Sequence, residues 1–453
     1  MNSTKTKNRI GMFLAYMGGS PVFLLISSYL VYYYTNVAGL NAAIVGTILL
    51  VSRVLDGVSD VVFGNMIDRT RTKMGVCRPW VFRMAIFGVI SLVALFTVPH
   101  FNSDFIQYAY VFVTYNFANT IVATIYQLAI ITLPSYLERD SQERNIIYIF
   151  ANTGQALTQV LISSVMFKAV MALGGTQKAW TICVLIISAI GCILDLIAVS
   201  ICKETVDPDE IAKNTGDEAK VPFGKAVKAC IENKYWWMIL AFVTFGTAAN
   251  VATMTMTSYY SQYILGNTAI ADILNTAYSF PMLVIIPFLS LVVGKVGKRN
   301  IALFGAFLIG GGALMTVLVP NNLTLLCIAT VLKSIGMGCP SAVYAAMLTD
   351  AIEYGQWKTG VRNQAVLIGA QSAGGKIGVG LASAFLSWAM AWTGFDGMAA
   401  VQTAAATSCI AKLFGIFPIV MAVLMIVILF NYDLDKRFPQ IMADLKAREE
   451  SGK

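Results

Sequence analysis

The sequence predicts an all-helical polytopic membrane protein with about twelve transmembrane helices in two six-helix bundles, on three observations. First, hydrophobic residues make up 57% of the chain and charged residues 12%, with a mean hydropathy of +0.70. Soluble domains carry about 25% charged residues, so this chain is built for a lipid solvent. Second, the apolar residues fall into long runs separated by short polar punctuation, each near the ~20 residues that cross hydrocarbon. Third, Lys and Arg gather in every second connection, which orders the runs into spans of alternating direction.

The runs place spans at roughly 10–35, 41–66, 81–99, 105–133, 146–173, 178–202, 236–263, 268–294, 301–319, 323–349, 364–393 and 408–431. The basic connections are 67–80, 134–145, 203–235, 295–300 and 350–363, with the tail 432–453. The opposite connections hold almost no Lys or Arg. The positive-inside rule therefore sets both termini in the cytoplasm and the chain in the cell (inner or plasma) membrane. The leader MNSTKTKNR is basic, and the first apolar run is too long for a signal h-region and lacks a small-residue cleavage site. The net charge of +8 is explained by these loops and implies no nucleic-acid partner. The eight cysteines show no metal-ligand spacing and read as small core residues. No organic cofactor is expected, membrane lipid is the surrounding partner, and a monomer suffices as the functional unit.

The hydrophilic segment 203–235 divides the chain into an N-terminal bundle 1–202 and a C-terminal bundle 236–431, followed by the cytoplasmic tail 432–453. Its part from Phe223 to Asn233 has the pattern of a surface helix. Six spans on each side suggest the major facilitator architecture, two halves related by an axis along the membrane normal. A weak repeat agrees with this: Gly64-Asn-Met-Ile-Asp68-Arg69 follows span 2, and Gly294-Lys-Val-Gly-Lys298-Arg299 follows span 8.

Within span 2 the run VSRVLDGVSD sets Arg53, Asp56 and Asp60 where hydrocarbon would demand Leu or Val. Each charge at a helix centre costs about 2.5–3.5 kcal/mol on insertion scales. Asp56 and Asp60 are four residues apart and share one helix face. Two such carboxylates raise each other's proton affinity, and a proton, a bound cation or a nearby base relieves the repulsion. The spacing D-x-x-x-D also occurs in membrane prenyltransferases that bind Mg²⁺–diphosphate, but the second half offers only Asp350 and Glu353 at the wrong spacing. An enzyme is therefore not expected.

Several segments resemble the glycoside–pentoside–hexuronide:cation symporter family, to which melibiose permease belongs. They are YYYTNVAGL at 32–40, SRVLDGVSDVVFGNMIDRTRTKMGVCRPW at 52–80, LERDSQERN at 137–145 and LTDAIEYGQWKTGVRNQAV at 348–366. The resemblance implies a secondary active transporter that carries a sugar or glycoside with Na⁺ or H⁺ by alternating access. It implies a coupling-cation site at Asp56 and Asp60, with Arg53 beside it, Thr120 of span 4 near it, and Lys376 of span 11 between the two sites. Ser59 adds an oxygen ligand suited to Na⁺. The residues that grip galactosides in the family are changed, however: Ser20, Ala123 and Asn152 stand at the positions of charged groups. Coupling looks intact while that specificity does not.

Neutral polar and aromatic groups suited to sugar hydroxyls and ring faces recur in the spans: Tyr29, Tyr32 and Tyr33 in span 1; Tyr126 in span 4; Asn152, Gln155 and Gln159 in span 5; Asn250, Thr253 and Tyr259 in span 7; and Gln371 in span 11. Each is also a residue type that merely packs helices. Lys333, near the middle of span 10, has no carboxylate at its depth in its own span. Facing a cavity, it would suit an anionic sugar such as a hexuronide; pairing with backbone carbonyls or a distant carboxylate explains it equally well. A proton-coupled exporter of a more hydrophobic solute would use the same scaffold.

Overall fold

A computed structural model describes residues 2–206, 228–360, 364–399 and 401–450. Twelve spans follow in order. Spans 1 to 6 are Asn2–Asn36, Ala42–Asp68, Arg78–Leu95, Asp104–Leu137, Ser141–Ala172 and Gln177–Ile201. Spans 7 to 12 are Lys234–Tyr263, Ile270–Val296, Lys298–Leu318, Leu323–Thr359, Gln364–Trp392 and Ala404–Phe430, and a helix Leu434–Glu450 closes the chain. Of the proposed Phe223–Asn233 surface helix, residues 228–231 are helical and 223–227 lie outside the described residues.

Several helices outlast their apolar runs, because helical hydrogen bonding does not stop where hydrocarbon does. Span 10 continues from the expected 349 to Thr359 and ends where Gly360 adopts φ +69°, the left-handed conformation that closes a helix. Pro21 in span 1 has no N–H for the carbonyl of Met17, and the Thr158 hydroxyl of span 5 donates to that carbonyl at 3.3 Å. Spans 1 and 4 each contain a π-helical stretch, Leu25–Tyr29 and Asn116–Ala123. In the second, the Thr124 hydroxyl donates to the carbonyl of Asn119, five residues back.

The chain forms two compact units. The first comprises Met1–Ile211 with Met254–Phe280 and Gly380–Ala411; the second comprises Ala212–Thr253, Pro281–Val379 and Lys412–Lys453. This differs from a simple division at the central segment, since parts of spans 7, 8, 11 and 12 pack with the first unit.

Glycines set the helix crossings in both units. In the first, Gly18 meets Gly191 of span 6, and Gly154 of span 5 meets the carbonyl of Phe13. In the second, a Cβ on Gly305 would lie 2.6 Å from the carbonyl of Gly336, and one on Gly336 would lie 2.7 Å from the carbonyl of Gly305. Lipid gives helices no hydrophobic reason to associate, so close backbone approach supplies the packing. Gly305→Leu is therefore expected to collapse the yield of monodisperse detergent-purified protein, whereas Gly311→Leu, at a glycine with open space around it, leaves the yield near wild type.

The polar ends of the two halves carry the same fastening. In the first unit the Glu204 carboxylate accepts the N–H groups of Val76, Cys77 and Arg78 at the start of span 3, while the Arg78 guanidinium donates to the carbonyl of Val199 near the end of span 6. In the second, Asp435 accepts the Arg299 N–H at the start of span 9, while the Arg299 guanidinium donates to Leu429 and Phe430 at the end of span 12. Carboxylates suit the first N–H groups of a helix and cations its last carbonyls. The partner of Arg299 in this repeat is thus Arg78, not Arg69 as the Gly-x-x-x motif suggests.

Candidate functional site

Asp56 is the buried charge of span 2, at 1% exposure. Arg53, one turn earlier, reaches it at 3.3 Å. The widened turn of span 4 brings two donors from consecutive residues: Asn119 Nδ2 lies 2.7 Å from one carboxylate oxygen, and Thr120 Oγ1 lies 2.5 Å from the other. Asn116 extends the set, its amide donating to Ser52 at 2.9 Å and its oxygen standing 3.1 Å from Thr120. Both oxygens of the Asp56 carboxylate thus have partners, which a buried carboxylate requires. Arg53 is seated by Gly380 of span 11, where a Cβ would lie 2.7 Å from its side chain.

These groups fit a hard monovalent cation. The Asp56 carboxylate, the Thr120 hydroxyl and the amide oxygens of Asn116 and Asn119 are all oxygen ligands. A proton needs only the Asp56 carboxylate. A cation on Asp56 would compete with Arg53 and with the two donated hydrogens for the same carboxylate oxygens. Asp60, a turn further on, is half-buried, and Ser59 turns its hydroxyl back onto the carbonyl of Asp56 at 2.9 Å. Lys376 is half-buried in the second unit. Asn116 and Asn119 were not singled out from the sequence; the polar spacing in YNFANT, inside an apolar span, was the available signal.

The proposed sugar-binding residues part company. Tyr29 and Tyr33 do not form an open platform: both are fully buried and pack with Phe96, Phe167 and Trp180 at centroid distances of 5.0 to 6.2 Å. A ring on a helix shows its face to whatever neighbour arrives, and here the neighbours are other rings. Tyr126 is also buried, bonded to Ala15 O at 2.6 Å and to Asp195 at 2.7 Å. Ser20 donates to the Tyr16 carbonyl of its own helix. Asn152 is exposed on span 5, and Asn250 is half-buried on span 7. Gln371 is 1% exposed and its amide lies beside the Tyr344 hydroxyl of span 10.

Lys333 is likewise 1% exposed, and its ammonium has no hydrogen-bond partner among the described residues. It lies against Gly312 of span 9, and its Nζ sits 4.0 Å from the ring centroid of Phe414 in span 12. A cation over an aromatic face gains about 2 kcal/mol when desolvated. The lysine is thus enclosed between helices, rather than open to a cavity as the anionic-sugar expectation assumed.

Away from the basic loops, span 1 is tied to span 7. Tyr32 and Asn36 donate to Gln262 at 2.6 and 2.8 Å, Asn36 also donates to Tyr263 at 2.7 Å, and the Thr35 and Tyr259 hydroxyls meet at 2.7 Å. Beside them the fully buried Asp272 of span 8 accepts the backbone N–H groups of Phe167 and Lys168 in span 5, at 3.0 and 2.8 Å. In the sequence Asp272 looks like an ordinary acid in a first helical turn, so nothing marked this role.

Comparison with known proteins agrees with the geometry. Residues 7–436 match the family model described as MFS/sugar transport protein. The isoprimeverose transporter of Lactiplantibacillus pentosus is 28% identical over 440 residues, covering 94% of this chain and 88% of that one. The glucuronide carrier protein homolog of Escherichia coli is 24% identical, covering 97% and 95%. The crystal structure of nucleoside transporter NupG superposes with a TM-score of 0.64 at 14% identity, over 96% of this chain and all of that one, and shows the same fold. Twelve spans in six-plus-six order, a buried charge cluster in span 2 and a family match across nearly the whole length lead to one assignment: the chain belongs to the MFS/sugar transport protein family.

Proposed function

We propose that the protein moves a sugar or glycoside together with Na⁺ or H⁺ across the cell membrane by alternating access, with both termini in the cytoplasm. The observation that carries this reading is Asp56, a carboxylate buried in a membrane span and held by Arg53, Asn119 and Thr120. Neutralising that carboxylate with a cation frees Arg53 and two span 4 donors at once, which ties ion binding to the packing of spans 2 and 4. The relatives named for isoprimeverose and glucuronide support a sugar as cargo. Gln371 offers a buried side-chain amide beside Tyr344, with donor and acceptor atoms of the kind that suit sugar hydroxyls.

The enclosure of Lys333 favours neutral over anionic glycosides. Tracer uptake into membrane vesicles at fixed potential, with imposed Na⁺ or H⁺ gradients, tests both points. One positive charge crossing about 100 mV supplies about 2.3 kcal/mol, enough for roughly 50-fold accumulation. Neutral glycosides are expected to accumulate only under an inward electrochemical gradient of the coupling cation, and Lys333→Gln to leave that uptake within about twofold of wild type. Absence of cation-dependent flux for any sugar in a broad panel would sink the symport reading. Uronide uptake abolished by Lys333→Gln would return the lysine to the substrate site.

A further inference from the structure

The first unit holds a second buried carboxyl that the Asp56 chemistry does not use. Asp195 lies in span 6 at 2% exposure, six residues before the helix ends and so about 9 Å along the helix from that end. Its only hydrogen-bonding side chain among the described residues is Tyr126 of span 4. The surroundings are built around the pair. A methyl group on Gly18 would run into the Asp195 carboxyl, and one on Gly19 would run into the Tyr126 ring. Two adjacent glycines of span 1 thus make room for two polar side chains from two other helices.

A count of hydrogens decides the state of this pair. Tyr126 Oη stands 2.6 Å from Ala15 O and 2.7 Å from Asp195 Oδ1. Both are full O–H···O hydrogen-bond distances, and each needs its own hydrogen, since two oxygens this close without one repel. The phenol has one hydrogen and the backbone carbonyl has none. If the phenol donates to Ala15 O, the hydrogen between Tyr126 and Asp195 belongs to the carboxyl. The contrast with Asp56 is direct. There an arginine and an amide N–H₂ bring hydrogens of their own to the carboxylate.

We propose that Asp195 is a proton-binding site, a neutral carboxylic acid that donates to Tyr126, which in turn donates to the backbone of span 1. Among the described residues, the helices around it supply no competing base. Span 1 brings Tyr16, near Tyr126, and span 5 brings Tyr148, near Tyr16. Span 6 itself brings Cys192, one turn before Asp195. Span 3 brings Arg78, whose guanidinium is bonded to the carbonyl of Val199 one turn beyond Asp195. A charged carboxylate here would sit in a dry site with no cation bonded to it among the described residues, whereas the acid supplies the hydrogen that the Asp195–Tyr126 contact needs.

Infrared spectroscopy of the full-length protein in lipid tests this at neutral pH. The wild-type minus Asp195→Asn difference spectrum is expected to show the C=O stretching band of a protonated carboxylic acid, with no loss of carboxylate bands. Tyr126→Phe is expected to move that band to higher frequency, because the acid loses its acceptor. Loss of a carboxylate pair of bands in Asp195→Asn overturns the proposal. So does an acid band that Tyr126→Phe leaves in place. If Asp195→Asn fails to fold, Tyr126→Phe minus wild type decides alone: a band shift in the acid region supports the site, and no shift overturns it.

Discussion

Asp56→Asn is expected to abolish cation-driven accumulation of sugar while slow downhill equilibration persists. Asparagine fills the same space but carries no charge, so neither Na⁺ nor H⁺ finds a site there. The substitution also leaves Arg53, whose side chain is 12% exposed, without its counter-charge. Breaking a buried pair from one side costs about 3–5 kcal/mol, because the surviving charge stays buried. Adding Arg53→Gln to Asp56→Asn is therefore expected to recover part of the lost thermal stability without recovering accumulation. Vesicle uptake and thermal denaturation of the purified variants read the two effects separately. Wild-type accumulation by Asp56→Asn under a Na⁺ or H⁺ gradient would remove Asp56 from the coupling site. Thr120→Val sorts the cations. It deletes an oxygen ligand within 2.5 Å of Asp56, so a Na⁺-coupled carrier is expected to need about tenfold more Na⁺, whereas a proton-coupled one is barely altered.

The second large effect is expected at Asp272. Its carboxylate clips two backbone N–H groups of span 5 while span 1 is tied to span 7 nearby. Hydrogen bonds to a charged group contribute about 1.5–3 kcal/mol each. Asp272→Asn keeps one acceptor oxygen and loses the charge, so it weakens this closure by about 10- to 100-fold in equilibrium terms. The readout is the alkylation rate of a cysteine at Ser261 in a background lacking the eight native cysteines. Ser261 is fully buried and its hydroxyl has no hydrogen-bond partner among the described residues, so Ser261→Cys disturbs little. A membrane-impermeant reagent added from outside is expected to react faster when Asp272→Asn is present. An unchanged rate would show that the clip does not hold that face shut.

How much of this was legible in the sequence depends on the kind of signal. Spans were legible because apolar run length is dictated by bilayer thickness, and span 2 appears at Ala42–Asp68 against an expected 41–66. The Arg53–Asp56 pair was legible because a charge in hydrocarbon is too costly to be incidental. Tyr29 and Tyr33 were not, since an aromatic ring reads the same whether it faces a ligand or Trp180. Lys333 was half legible: its depth was evident, but its neighbours Gly312 and Phe414 come from spans 9 and 12, and no pattern within span 10 names them. Asn119 escaped because a π-helical turn changes which residues share a face, and ordinary helical spacing does not anticipate it. The divided fastening at Arg78 and Arg299 escaped because its acceptors are backbone carbonyls, which leave no side-chain signature.

That fastening also bears on how the chain is made. The clasp between spans 3 and 6 closes only once Glu204 has been synthesised, a few residues after span 6 ends at Ile201. Every group needed to lock the first six helices has thus been synthesised before span 7 begins at Lys234. The matching clasp between spans 9 and 12 waits for Asp435, near the end of the protein. A chain cut between Phe430 and Asp435 would carry all twelve helices yet reach the insertion machinery with its second lock missing. Quality-control proteases are accordingly expected to remove that truncation faster than one ending just after Glu450.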